Sequence, residues 1–121
     1  MGVTCADIWQ LEYWYRGHLA SPCNVAFLRI NDGQWLRFFF DAGVFFWKMV
    51  PRVDAELADG DFLYRPVRSA DAAMLIGKVV EGCLFLGDSG GQNRVLRIRF
   101  ATGGRLTLTN AGDENALSIG I

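Results

Sequence analysis

A chain of 121 residues with 12 basic and 13 acidic side chains and a formal net charge of -1 has room for one domain whose core needs no disulfide or metal. It sets up no global field toward nucleic acid or an anionic membrane surface. The hydrophobic fraction is 51%, but Asp41 and Lys48 interrupt the greasiest stretch, far short of the ~20 apolar residues a spanning helix needs. Residues 1–7 lack the basic start and apolar centre of a secretory signal, and Ala6 stands where a myristoylation motif takes Ser or Thr. The expectation is a cytoplasmic single domain over residues 1–121. Cys5, Cys23 and Cys83 show neither paired metal spacing nor a redox pair. They read as reduced thiols, with Cys83 a small core residue.

Thr4-Cys5-Ala6-Asp7 has the form of a capping box, with Asp7 favoured by the helix dipole. Ile8, Leu11 and Tyr15 share one helical face, so the spacing predicts an N-terminal helix over about residues 5–15. Trp9, Tyr13 and Trp14 spill around that cylinder, and a strand over residues 12–15 competes with it. Gly17 and Ser21-Pro22 then interrupt regular structure.

From Asn24 to the end the punctuation is that of an antiparallel meander, about residues 24–121. Val25 to Ile30 runs into Asn31-Asp32-Gly33, a favoured hairpin turn. Trp35 to Phe40 and Val44 to Val50 flank the tight turn Asp41-Ala42-Gly43. Pro51 to Asp61 is polar and acidic, a loop or one short helical turn. Phe62 to Val67 reads as an edge strand because Pro66 lacks a donor, and Met74 to Leu86 as one long strand bent at Gly77 or Gly82.

The last third alternates cleanly. Leu96, Ile98 and Phe100 are interleaved with Arg97 and Arg99, Leu106 and Leu108 with Arg105, Thr107 and Thr109, and Leu117, Ile119 and Ile121 with Ser118 and Gly120. Pairing Ile98 with Leu106 sets Arg99 against Arg105, so pairing with Leu108 is expected unless an acidic neighbour covers the arginines. The fold class is mainly β, with some α: a curved antiparallel sheet or small barrel of about eight strands, with the N-terminal helix on one face.

Gly87-Asp88-Ser89-Gly90-Gly91 matches the string around the nucleophile of trypsin-like proteases, but a triad needs an imidazole base and a buried carboxylate. The one histidine, His18, lies in Arg16-Gly17-His18-Leu19-Ala20, without that family's context, and Gln92 replaces the closing proline. His18 reads as a solvent-facing or hydrogen-bonded loop imidazole and cannot build a zinc site with isolated cysteines. Gly90-Gly91 and Gly103-Gly104 have no following lysine or helix N-terminus to cradle phosphate. No enzyme, cofactor or metal site is expected.

Two features point to a protein partner. Asp54, Glu56, Asp59 and Asp61 crowd one loop; they are either a solvated loop or an acidic lure for a basic protein surface. Aromatic residues make up 13% of the chain, and seven rings lie between Trp35 and Trp47. The rows bearing Arg37 and Lys48 are the natural outer ones, and they still hold Trp35, Phe39 and Phe46. Either the N-terminal helix covers these rings or Trp35, Arg37 and Phe39 form a patch suited to an interface centre. Arg97, Arg99 and Arg105 read as a solvated face, since threonines rather than rings alternate with them and nucleic-acid stacking has no platform there.

The hairpin Trp35-Leu36-Arg37-Phe38-Phe39-Phe40-Asp41-Ala42-Gly43-Val44-Phe45-Phe46-Trp47 and the run Leu106-Thr107-Leu108-Thr109-Asn110-Ala111-Gly112-Asp113 resemble small immunity proteins of bacterial polymorphic toxin and contact-dependent inhibition systems. That resemblance implies a non-enzymatic inhibitor that lays acidic loops or a sheet face over the active site of a cognate, basic toxin domain. The partner is then a protein, with neither nucleic acid nor membrane involved. The alternative is a small-ligand carrier whose cavity is lined by Phe38, Phe40, Phe45 and Trp47; homodimerisation through the greasy hairpin is a third expectation.

Overall fold

A computed structural model describes residues 2–31, 33–87, 93–112 and 114–121. Among them run β1 (Cys5–Tyr15), β2 (His18–Ile30), β3 (Trp35–Asp41), β4 (Val44–Val50), β5 (Leu57–Asp59), β6 (Phe62–Arg68), a 3-10 turn (Ala72–Met74), β7 (Val80–Gly87), β8 (Asn93–Phe100), β9 (Arg105–Ala111) and β10 (Glu114–Gly120). They form two antiparallel sheets, one ordered β4-β3-β2-β1-β6-β5 and the other β10-β9-β8-β7. The mainly β, antiparallel expectation holds, with ten described strands instead of eight and two layers with open edges instead of a closed barrel.

The expected N-terminal helix is a strand. β1 pairs with β2 on one side and β6 on the other, so both neighbours supply the backbone hydrogen bonds that a helix would have made internally. The rings that spilled around a helical cylinder fall on two faces of a strand. Ile8 is buried between the sheets, while Trp9 and Leu11 pack on the opposite face. Thr4 bridges Val79 instead of capping, and the Asp7 carboxylate accepts from Trp9 Nε1 at 2.9 Å and Arg68 Nε at 2.8 Å.

Arg16 and Gly17 turn the chain with φ of 50° and 77°, so β2 begins at His18 and continues through Ser21-Pro22. The register shifts between Leu11 and Tyr13, a bulge that accommodates the missing proline donor. Ala42 and Gly43, at φ 49° and 78°, close the β3–β4 hairpin as expected. Of the Asn31-Asp32-Gly33 turn, Asp32 lies outside the described residues.

Two further expectations are corrected, and the conditional one about register resolves to its exception. Residues 51–61 contain β5, which hairpins onto β6, so β5 is the sheet edge near Tyr64 and only the later part of β6, with Pro66 opposite Leu11, has a free side. The long strand from Met74 is a 3-10 turn followed by β7, because Gly77 at φ 86° redirects the chain. There the Gly77 N–H donates to the Cys5 carbonyl at 2.8 Å and the Cys5 N–H to the Lys78 carbonyl at 2.9 Å. The bend expected at Gly82 is present as a register shift between Val80 and Gly82. Finally, Ile98 pairs with Leu106, placing Arg99 opposite Arg105. Glu81 on β7 supplies the acidic neighbour, 4.0 Å from Arg99, and the Phe100 N–H donates to the Gly104 carbonyl at 3.0 Å to close a short turn.

The main core lies between the sheets, where Ile8, Ala26, Leu28, Phe38 and Phe40 meet Leu96, Ile98, Phe100, Leu106 and Leu108, with Leu75 beneath the 3-10 turn. A second core sits on the other face of the large sheet: Leu11, Val25, Phe27 and Trp35, packed against Trp9, Phe39, Val50, Val53 and Tyr64. Between the layers, the Asn115 amide donates to the Phe40 carbonyl at 2.9 Å and accepts the Phe40 N–H at 3.2 Å. The thiols correct a further expectation: Cys83, on edge strand β7, is exposed, whereas Cys5 and Cys23 are buried. Burial pushes the latter two thiols up, to about 11 and about 12.

Candidate functional site

The outer face of the large sheet concentrates the surface chemistry. Because side chains alternate across a strand, Tyr13 and Tyr15 of β1 share this face with Leu11, and β6 meets them with Tyr64 opposite Tyr13 and Phe62 opposite Tyr15. β5 extends the row by setting Leu57 opposite Tyr64 and Asp59 opposite Phe62. Tyr13 lies 5.0 Å from Tyr64 and 5.9 Å from Phe62, centroid to centroid, and Tyr15 lies 5.4 Å from Phe62. This strip is open: Phe62 is 45% and Leu57 59% exposed. Desolvation, then the neighbouring Tyr64 and Tyr15, push the Tyr13 hydroxyl up.

Charged pairs rim the strip. Arg16 lies 3.2 Å from the Asp61 carboxylate and over the Tyr15 ring at 5.2 Å. Arg65 reaches Glu56 at 3.3 Å on the other side of the β5–β6 ladder. Arg37 grips Asp54 with two hydrogen bonds of 3.2 and 3.1 Å and stacks over Phe39 at 5.2 Å. That clamp folds the segment after β4 over the sheet, where Val53 joins the second core. Between segment and sheet lies a cleft of about 600 Å³, bordered by Leu11, Arg37, Asp54, Glu56, Leu57 and Tyr64. A smaller one of about 180 Å³ continues along Leu57, Asp59, Phe62 and Tyr64.

The residues expected from sequence are brought neither to one face nor into one state: Glu56 and Arg65 flank Leu57 and Tyr64 in the ladder, and alternation turns their pair to the other side. Asp54, Glu56 and Asp61 are each matched by an arginine, so the four carboxylates are not a bare acidic lure; Asp59 forms no ion pair with any of the described residues and stands opposite Phe62 in the β5–β6 ladder. Trp35 is buried in the second core beneath Arg29, whose guanidinium lies 5.8 Å from its ring. Phe39 stacks on Phe46 at 5.2 Å. What covers Trp35 and Phe39 is the segment carrying Val53, together with their own neighbours, since β1 lies within the same sheet. Sequence reasoning missed Tyr13, Tyr15, Phe62 and Tyr64. The signal was the two-residue spacing Trp9, Leu11, Tyr13, Tyr15, which a helical reading conceals.

Elsewhere, His18 is exposed at the start of β2. Arg97, Arg99 and Arg105 border a cleft of about 340 Å³ together with Glu81. Residues 88–91 of the protease-like string lie outside the described residues. Phe38 and Phe40 are buried in the main core and pack on Phe45 at 6.4 and 5.3 Å. No helix among the described residues is long and apolar enough to cross a membrane. No family model, no curated protein and no solved structure matches the chain, so the site rests on its own geometry.

Proposed function

We propose that this protein is a non-enzymatic, cytoplasmic binding protein of the immunity type, which neutralises a cognate bacterial toxin domain by direct contact. The observation that carries the reading is the open strip of Tyr13, Tyr15, Phe62 and Tyr64 rimmed by Asp54, Asp59 and Asp61, with Glu56 at the same edge. Large rings at a centre with charged groups around them match the anatomy of protein interfaces. Asp59 is available to a basic residue of the partner, and the tyrosine faces suit an approaching arginine or lysine. The ion pairs at Asp54, Glu56 and Asp61 hold the remaining carboxylates in fixed positions, which favours specificity and encounter rate over raw attraction. Arg37 has a positioning role in this scheme: it orients the cleft wall by holding Asp54 and capping Phe39, with Trp35 anchoring the sheet beneath.

The test is titration calorimetry of the purified protein against the product of the reading frame adjacent to its gene, expressed as the candidate toxin domain. Binding should weaken at least ~30-fold on Tyr64→Ala, the scale of a hot-spot residue, and fall as salt rises. Unchanged affinity in Tyr64→Ala and Phe62→Ala, or no binding at all, overturns the reading.

A further inference from the structure

Sheet edges invite pairing with other chains, and proteins normally blunt them with short strands, bulges, charge or cover. β5 is three residues long and carries Asp59. β7 has the register shift at Gly82 beside Glu81, and β10 runs against β2. β4 has a single such defence, the charge of Lys48, and is neither short, bulged nor covered. It is seven residues long, Val-Phe-Phe-Trp-Lys-Met-Val, and pairs with β3 in unbroken register from Asp41↔Val44 to Trp35↔Val50.

The backbone shows which groups it offers. The two-residue turn at Ala42-Gly43, with both φ values positive, makes Asp41 and Val44 a hydrogen-bonded pair. Alternation along an antiparallel ladder then makes Phe39–Phe46, Arg37–Lys48 and Trp35–Val50 the remaining hydrogen-bonded pairs. The N–H and C=O groups of Phe45, Trp47 and Met49 therefore point away from β3, toward the open edge. Their side chains lie on the inner face, where the second sheet does not fully cover them. Phe45 meets Phe85 of β7 at 5.1 Å, but Trp47 is 64% and Phe85 57% exposed.

The geometry points to a second copy of this chain as the occupant, paired antiparallel through β4 about a two-fold axis at Trp47. Registers that match outward-facing residues bring different partners together. Setting Trp47 opposite itself aligns Phe45 with Met49, Phe46 with Lys48 and Val44 with Val50, and it alone uses all seven residues. The register shifted by one pair, Trp47 opposite Met49, places Lys48 against Lys48 and is repulsive. In the favoured register Lys48 faces the Phe46 ring of the other copy, a cation–π arrangement, and Met49 sulfur meets the Phe45 ring. A contact about 24 Å long and roughly 20 Å deep covers ~500 Å² per copy, or ~1,000 Å² in total, the lower bound for a biological interface and short of the ~1,200–2,000 Å² of stable complexes, so the dimer is a weak one that forms at high concentration. This surface lies on the opposite edge of the large sheet from the Tyr64 strip.

Sedimentation equilibrium of the full chain from about 1 to 200 µM tests this. The mass should rise from 13.5 kDa toward twice that value with increasing concentration. Trp47→Lys places like charges on the axis and should weaken self-association at least tenfold, with thermal unfolding confirming that the variant is folded. In a Cys83→Ser background, Trp47→Cys should cross-link into a covalent dimer under diamide, and Met49→Cys should not. A monomeric mass at every concentration, a dimer unaffected by Trp47→Lys, cross-linking through Met49→Cys in place of Trp47→Cys, or a dimer dissolved by Tyr64→Ala each overturns the inference. Loss of self-association in Trp47→Lys with toxin-domain affinity unchanged separates this edge from the proposed inhibitory face.

Discussion

Replacing Asn115 by alanine tests how the two layers are joined. The Phe40–Phe45 pair is of the non-hydrogen-bonded kind, so the Phe40 N–H and C=O point away from β4 toward β2, but the β2–β3 ladder ends at Ala26↔Phe38. Asn115, only 6% exposed, supplies the missing partner with one amide, accepting from the Phe40 N–H and donating to its carbonyl. In Asn115→Ala both backbone groups lose their partner in a buried setting, and each such loss costs about 1–3 kcal/mol. Partial entry of water into the vacated space relieves some of this, so the expected destabilisation is ~2–4 kcal/mol, a large fraction of a domain's typical ~5–15 kcal/mol. Urea unfolding followed by fluorescence should show a lower midpoint with an unchanged slope. Asn115→Asp keeps one acceptor but loses the donor and buries a charge, and it should be no more stable than the alanine variant at neutral pH. A change below ~0.5 kcal/mol in Asn115→Ala, the scale of an ordinary surface substitution, refutes the clasp.

Three other outcomes follow from local geometry. Burial opposes ionisation of Asp7, but hydrogen bonds from Arg68, Trp9 and the Ile8 N–H outweigh it and hold the carboxyl below its ordinary value. A depressed folded-state value means stabilisation that is present above the unfolded value of ~3.9 and lost as pH falls through the folded one; the stability gap between wild type and Asp7→Asn should be steady near neutrality and close below about pH 4, and a gap constant down to pH 2 refutes this. A Cβ at Gly104 meets Leu75 Cδ2 at 2.6 Å and φ is +107°, whereas Gly103, at φ +92°, has open space; Gly104→Ala should therefore cost ~2–4 kcal/mol by urea unfolding and Gly103→Ala ~1–2 kcal/mol, backbone strain alone. Cys83 should be alkylated in the native protein at least tenfold faster than Cys5 and Cys23, as followed by mass spectrometry, because desolvation raises all three thiols but only Cys83 is exposed to the reagent; equal rates without denaturant would contradict the packing.

Where a local pattern carried its own physics, the chain could be read directly. Alternation at Leu96, Ile98 and Phe100 and at Leu106 and Leu108 marks strands with one buried face, and Ala42-Gly43 can close only a tight hairpin. The outer placement of Arg37 and Lys48 followed from the same period of two. The acidic character of residues 54–61 was visible, but the arginines that neutralise it were not, because Arg37, Arg65 and Arg16 come from other strands.

What tertiary structure decided was every choice between locally comparable alternatives. Residues 5–15 carry apolar groups on all sides, which a helix cannot bury but a strand flanked by β2 and β6 can, and only that pairing creates the row of Tyr13, Tyr15, Phe62 and Tyr64. The Ile98–Leu106 register looked repulsive until Glu81 arrived from β7, about eighteen residues away along the chain. Composition and periodicity act over a few neighbouring residues and therefore specified strands, turns and faces. Which strands lie side by side depends on contacts between distant segments, and those contacts determine both the aromatic strip and the bare edge at Trp47.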